Sequence, residues 1–314
     1  MARLEKLAVV GAGSVGAAVA YASMIDRLAD EIALFDIDGA RAEAESLDLR
    51  HGLQFVGGGR VWGGDDVGLC AGADLVVVTA GATHGPGGSR LELAGANVAL
   101  VRRALPPLLE VAPDAIYLLV TNPVDVVTYV AQELSGLPHG RVIGSGTVLD
   151  SSRLRHVLAE RLGVSVANVH ALVVGEHGDS ETVLWSSATV GGTPMTDVVG
   201  PHGGRIRPDE RDGIRQEVRE AADRIIRGKG NTNLAIGLAT AHIARAISRD
   251  ECAVLPVSVR TSFDGVGEVC LSVPSVVGRA GVLSQLPVPL DDAERADLHA
   301  SAAAVRAVID AVAS

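Results

Sequence analysis

Apolar residues recur along the first half of the chain in two rhythms. Short unbroken apolar runs fall at residues 7–10, 32–35, 75–79 and 116–120. Runs this short, rich in Val, Leu and Ile and without polar alternation, read as strands buried on both faces of a parallel sheet. Between them lie stretches with helical spacing, from the glycines after residue 10 to about 28, then 40–53, then 91–110. A Gly-rich loop, 81–89, precedes the last of these. Strands and helices alternating at these lengths require right-handed βαβ crossovers, so the expected fold class is α/β with a doubly wound parallel sheet.

After about residue 145 the texture changes. Residues 150–162 have helical spacing, and 171–174 is a short apolar strand. Shorter β-branched segments punctuated by Gly and Pro follow at 183–190, 253–259 and 269–273. Long helices are expected over 208–227, 234–248 and 291–313, with 200–207 as an exposed loop. This predicts a mixed α+β second domain, with the division at 1–145 and 146–314.

Composition narrows the function classes. The 314 residues are 47% hydrophobic and carry 27 Lys+Arg against 38 Asp+Glu, a formal charge of −11. Such a chain buries about three quarters of its unfolded surface, which excludes disorder. The acidic balance argues against nucleic-acid binding, and 3% aromatics leave no stacking platform. Cys70, Cys252 and Cys270 are an odd set without CxxC spacing. They read as ordinary buried thiols of a reducing, cytoplasmic compartment, with neither a disulfide framework nor a metal site. The apolar run 7–25 follows Arg3 and Lys6 as a leader would, but its three regularly spaced glycines and the strand after it read as fold, not as targeting or a membrane span.

Those glycines form Gly11-Ala12-Gly13-Ser14-Val15-Gly16, a G-x-G-x-x-G that follows a strand and opens a helix. The first glycine permits a tight turn, the second lets backbone approach a pyrophosphate, and the third lets helix and strand pack closely. Asp36 ends the next strand, 20 residues after Gly16. A carboxylate there accepts from ribose hydroxyls and repels a 2′-phosphate, which favours NAD over NADP and a Rossmann-type sheet. The plainer alternative is that Asp36 only starts the turn before Asp38 and Gly39.

His177 sits among Gly175, Glu176, Gly178, Asp179 and Ser180, just after the 171–174 run. Asp150, at the start of a helix, is a candidate orienter: a carboxylate on one ring nitrogen fixes the tautomer and leaves the other to exchange a proton. At about 100° per residue, Asp150 and Arg153 share a helix face, while Arg155 lies about 200° from Arg153 and must point elsewhere. Arg153's planar fork matches a carboxylate, while the plainer alternative for Asp150, Arg153 and Arg155 is a solvated surface charge each.

Taken together, these motifs resemble the L-lactate/malate dehydrogenase family, on its bacterial L-lactate dehydrogenase side. The match covers nearly the whole chain. It also includes Thr79-Ala80-Gly81-Ala82, Ser89-Arg90-Leu91, Thr121-Asn122-Pro123-Val124-Asp125 and Gly144-Ser145-Gly146-Thr147. The resemblance implies an NAD-dependent enzyme of cytoplasmic fermentative glycolysis that interconverts pyruvate and L-lactate. His177 would exchange the proton with Asp150 as its partner, and Arg153 would clamp the substrate carboxylate. Arg90, at the end of a loop the family closes over the substrate, would polarise the ketone, with Asn122 on the same oxygen. The Asn122–Pro123 bond would be cis, and Thr232 would line the substrate pocket. Gly11, Gly13, Ser14, Val15, Gly16, Asp36, Thr79, Gly81 and Asn122 would hold the cofactor. A homotetramer is implied, and Arg155 and His170 match the positions at which allosteric members bind fructose 1,6-bisphosphate.

The chain departs from the family in its specificity loop. His84 stands where lactate dehydrogenases generally carry Gln and malate dehydrogenases Arg; Gly88 replaces a usual Glu, and Val148 a common Asn. Histidine can behave as either loop residue, depending on protonation. The alternatives are therefore a malate or other L-2-hydroxy acid dehydrogenase. A non-catalytic NAD-binding protein on the same fold is disfavoured by the intact catalytic set.

Overall fold

A computed structural model describes residues 3–82 and 90–312 of the chain, with the backbone alone for Arg90. In chain order its elements are β1 (Leu4–Val10), α1 (Ser14–Ile25), β2 (Ala29–Phe35), α2 (Gly39–Val56), β3 (Arg60–Gly64), β4 (Leu75–Val78), α3 (Arg90–Val111), β5 (Ile116–Leu119), α4 (Val124–Ser135) and β6 (Val142–Gly144). They continue with α5 (Val148–Leu162), β7 (Val169–His170), β8 (Val173–Val174), β9 (Thr182–Val183), β10 (Thr189–Val190), β11 (Thr193–Pro194), α6 (Arg211–Lys229), α7 (Leu234–Ser248), β12 (Ala253–Phe263), β13 (Gly267–Gly278), β14 (Gly281–Gln285) and α8 (Asp292–Val312).

The unbroken apolar runs are explained by the two faces of the sheet. In β1, Leu7 and Val9 enter one core with Val19 of α1 and Ile243 of α7, while Ala8 and Val10 enter another with Val101 of α3 and Val127 of α4. β4 divides the same way, Leu75 and Val77 against Val76 and Val78. Successive side chains point to opposite faces, so a strand covered on both sides cannot afford a polar position.

The strand order is β14-β13-β12-β6-β5-β4-β1-β2-β3. β1 pairs in parallel with both β2 and β4, so the winding reverses between β1 and β4 and opens a crevice beyond their carboxyl ends. This is the doubly wound α/β fold. One feature differs from a second half with its own sheet: β12, β13 and β14 form an antiparallel meander that joins the parallel sheet through Ser258 opposite Gly144 of β6. The smaller sheet β11-β10-β7 packs with α5 and α6 around a separate core.

Helix α4 and the strands β3, β6, β7, β11 and β14 escape the sequence pattern. β3 contains Trp62, Gly63 and Gly64 and has no apolar run, and β6 is three residues long. The 183–190 segment is not one strand but ends β9 and then supplies β10, with Trp185 to Ala188 turning between them. Cys70 and Cys270 are buried as expected, but Cys252 is exposed in the turn after α7. Of residues 200–207, Gly200 and Ile206 are buried and the rest are not. Among the described residues no helix is long and apolar enough to cross a membrane.

Candidate active site

The crevice begins at the glycine turn. Gly11 has φ +101°, and a Cβ there would lie 2.6 Å from the Ala80 amide nitrogen. A Cβ on Gly16 would lie 1.8 Å from the Gly11 carbonyl. Both glycines are thus required by the chain's own packing. Gly13 is different: a Cβ there meets nothing within 4 Å. The protein leaves open space at this helix N-terminus, and the residue type suits a ligand phosphate approaching the free amides. Thr79 Oγ1 donates to the Gly11 carbonyl at 2.9 Å and locks the turn to the end of β4.

Asp36 does more than start a turn. Its Oδ1 accepts from the Asp38 amide at 2.9 Å, and its Oδ2 accepts from the Ala12 amide at 2.6 Å. The acid is therefore tied directly to the glycine turn it follows in sequence. A cleft of about 490 Å³ runs from Ser14 and Val15, past Thr79, Gly81 and Asn122, to Arg153, His177 and Thr232.

At the far end, α5 is fastened to β8 by its first turn. Thr147 Oγ1 donates to the Val173 carbonyl at 2.6 Å, and the Val173 amide donates to Ser151 Oγ at 2.9 Å. This places the buried Asp150 against the 175–180 segment. Its Oδ2 lies 2.6 Å from His177 Nδ1, and its Oδ1 accepts from Arg153 Nη1 at 2.8 Å. Arg153 and Asp150 share a helix face as the spacing requires. Burial pushes the Asp150 carboxyl up, but His177 and Arg153 outweigh it and hold the group below its ordinary value. The Asp150 charge in turn lifts His177 to about 9, against burial. With Nδ1 engaged, Nε2 is the nitrogen left to exchange a proton.

The segment carrying His177 is held from several sides. Gly175, at φ +89°, exchanges backbone hydrogen bonds with Ser272, and the Glu176 amide donates to Ser301 Oγ at 2.8 Å. The His177 amide donates to Asp125 Oδ2 at 2.8 Å, and Ser258 Oγ donates to Asp125 Oδ1 at 2.6 Å. Burial pushes Asp125 up to about 6 despite these donors. Asn122 precedes a cis peptide bond to Pro123, and its carbonyl accepts from Asn97 Nδ2 at 2.7 Å. Asn97 Oδ1 also accepts from the Ala82 amide at 2.7 Å, so one buried α3 side chain clamps both walls of the cleft.

A second cavity of about 440 Å³ lies on the other side of His177, between Asp150, Arg153, Glu181 and Arg219. Glu181 is buried, and its Oε1 has no hydrogen-bond partner among the described residues. Burial first, and the Asp150 charge second, push its carboxyl up to about 8.

Arg155 points away from this site, and its Nε donates to the Ala171 carbonyl at 2.9 Å. Ala171 follows His170, which is exposed at the end of β7. His84 and the Arg90 side chain lie outside the described residues. Motif reading gave no role to Asn97, Asp125, Glu181 or Ser258. Asp125 did stand inside a quoted motif, Thr121 to Asp125, where an acid in an otherwise apolar helix start was the available signal. Ser258 lies within an apolar strand and carries no such mark.

Comparison with known proteins gives a consistent picture. The family model for the lactate/malate dehydrogenase NAD binding domain matches residues 5–144, and that for the lactate/malate dehydrogenase alpha/beta C-terminal domain matches 147–314. An L-lactate dehydrogenase of Bifidobacterium animalis subsp. lactis is 50% identical over 303 residues, covering 96% of this chain and 95% of the relative. One from Synechococcus sp. is 48% identical, covering 98% and 99%. The crystal structure of a lactate dehydrogenase from a Medee basin deep-sea metagenome library superposes with a TM-score of 0.93 at 37% identity, over 100% of both chains.

Proposed function

The chain belongs to the lactate/malate dehydrogenase family, and from that premise we propose that it is an NAD-dependent L-lactate dehydrogenase interconverting pyruvate and L-lactate. The 2.6 Å contact between His177 and Asp150, with Arg153 on the other carboxylate oxygen, carries this assignment. When bound, NAD(H) supplies or takes up the hydride. In reduction, His177 gives the Nε2 proton to the ketone oxygen, and in oxidation it takes the proton back. Asp150 fixes the tautomer and stabilises the imidazolium. Arg153 has one nitrogen on Asp150, and the rest of its fork, which faces the cleft, suits the substrate carboxylate. Asn122 and Arg90 polarise the ketone oxygen, and Thr232 lines the substrate end of the cleft. Because the Arg90 contact strengthens as charge develops, its removal lowers kcat more than substrate binding.

On the cofactor side, the amides of Ser14, Val15 and the glycine turn take the pyrophosphate, and Asp36 takes the ribose hydroxyls. Thr79, Gly81 and Asn122 line the path to the nicotinamide end. The division into an NAD-binding domain, 1–145, and a substrate domain, 146–314, is part of the same proposal. So are a cytoplasmic, fermentative role and a homotetramer, the latter supported by the exposed apolar Tyr21 and Ile25 on α1 and Leu234 and Leu238 on α7. Activation by fructose 1,6-bisphosphate at Arg155 and His170 is supported by Arg155 turning away from the catalytic face.

His84 motivates a second reading, in which oxaloacetate is also a substrate. Oxaloacetate turnover relative to pyruvate then rises as pH falls through ~6.5, where an unperturbed imidazole becomes charged and can pair a second carboxylate. The deciding experiment is NADH oxidation with pyruvate, oxaloacetate and a branched 2-oxo acid, each with and without fructose 1,6-bisphosphate. Dominant pyruvate turnover raised by the bisphosphate is expected. Dominant oxaloacetate or branched-acid turnover would replace the substrate, and no effect of the bisphosphate on wild type, or an equal effect on Arg155→Ala, would remove the effector site.

A further inference from the structure

We propose that Asp125 is a positioning residue of the proton-transfer site, whose carboxylate fixes the His177 backbone and places a second negative charge behind the imidazole. This rests on His177 being the proton donor, as proposed above, and adds a residue to which no role is otherwise given.

Asp125 is 2% exposed in the first turn of α4. Burying a carboxylate there is costly unless hydrogen bonds and an opposite charge answer it. Both oxygens are engaged: Oδ2 accepts from the His177 amide at 2.8 Å, and Oδ1 accepts from Ser258 Oγ at 2.6 Å. Among the described residues the His177 amide meets no backbone acceptor, and Asp125 supplies the one it has. Asp125 thus ties together α4, the 175–180 segment and β12. It also stands three residues after Asn122, so one rigid turn presents Asn122 to the cleft and Asp125 to the backbone of the histidine.

A neutral amide could keep both contacts, accepting from the His177 amide and donating to Ser258 Oγ. What only a carboxylate adds is charge, and the cation that faces it is the His177 imidazolium. The groups facing His177 are Asp150 and Arg153 from α5, Asp125 from α4, Glu176 and Glu181 from its own segment, and Arg219 from α6. Those facing Asp125 are His177, Glu176 and the Cys270 thiol of β13. Asp150 and Asp125 favour the protonated ring, and Glu181 does so only above about 8, where it is ionised. With its own carboxyl pushed up to about 6, Asp125 is an anion at neutral pH.

Asp125→Asn separates the two roles. The amide oxygen can still accept from the His177 amide, and its NH2 can donate to Ser258 Oγ, so both contacts can persist, the second with its direction reversed, while the charge is lost. The His177 imidazole is titrated by NMR, its resonance identified by loss in His177→Asn, alongside pH profiles of kcat/KM with pyruvate and NADH and with L-lactate and NAD. Removing one nearby charge is expected to lower the His177 pKa by about one unit. The alkaline limb of pyruvate reduction moves down with it, and lactate oxidation gains at acid pH. A merely structural role would reduce both directions equally and leave the titration in place, which overturns the proposal.

Ser258→Ala keeps the test decisive if Asp125→Asn does not fold. It removes one donor to the charged carboxylate, so Asp125 takes up its proton at higher pH. Where Asp125 has become neutral the His177 pKa falls, so lactate oxidation, which needs the neutral imidazole, gains on the acid side of neutrality while the alkaline limb of pyruvate reduction stays. A profile superimposable on wild type overturns the proposal. If instead His177→Asn retains full activity, the proton-donor assignment itself fails, and the two failures are told apart.

Discussion

The two ends of the cleft are built by opposite means. The glycine turn is built from backbone: the start of α1, two glycines the fold requires, one it does not, and a single carboxylate bonded to the turn itself. At the other end, the site is built from buried side-chain charge, with Asp150 and Asp125 around one imidazole, Arg153 on Asp150 and a Glu181 carboxyl that burial keeps protonated at neutral pH. The first end is assembled within residues 11–36 and closed by Thr79. The second joins segments more than a hundred residues apart, as in Asp125 with Ser258 and Glu176 with Ser301. A backbone site needs shape and dipoles and is nearly indifferent to protonation. A buried ionic site works only in the right charge state, so its neighbours decide its chemistry.

Substitutions can break this contrast in order of expected effect. His177→Asn removes the proposed proton donor and should lower kcat for pyruvate about 10³-fold with folding intact, the range for a lost general acid. A loss confined to KM would mean that the proton comes from elsewhere. Asp150→Asn should cost about 10²-fold in kcat and release His177 from about 9 toward its ordinary value, pulling the alkaline limb of pyruvate reduction down. An unmoved limb would show that Asp150 does not set the imidazole's charge. Arg153→Lys replaces a planar fork by a point charge and should raise KM for pyruvate on the order of tens-fold, with a smaller effect on NADH binding; steady-state kinetics with each substrate varied measures both.

At the backbone end the effects are smaller and more selective. Gly13→Ala meets no protein atom, so the thermal midpoint of the free protein should hold while NADH affinity, read by fluorescence titration, falls about tenfold. Gly16→Ala would collide with the Gly11 carbonyl and should instead lower the midpoint itself. Equal behaviour of the two variants would erase the distinction between a glycine kept for a ligand and one kept for packing. The smallest effect is on stability against pH. His177 is raised in the folded state, so its contribution is complete below its ordinary 6.5 and is lost as pH rises through about 9. The thermal midpoint should drop by a few degrees across that window and more shallowly in His177→Gln.

The sequence by itself determined the parallel core and the cofactor end. β1, β4 and β5 were legible because a strand buried on both faces must be apolar throughout, and α7 because its helical spacing is uninterrupted over 234–248. The glycine turn and Asp36 were legible because their chemistry is local, a turn and the next strand end. Helix geometry also fixed that Arg153 shares a face with Asp150 while Arg155 does not. Tertiary structure alone decided the rest. It brought His177 within 2.6 Å of Asp150, set Asp125 behind it and left Glu181 buried beside it. It carried the β12–β14 meander onto the edge of the parallel sheet, and it made strands of β3 and β6, which have too few apolar residues to announce themselves. The physical reason is the same in each case. Periodicity records which faces are covered, but a buried charge or a short edge pairing is stabilised by partners from other segments, and those partners leave no spacing in the chain.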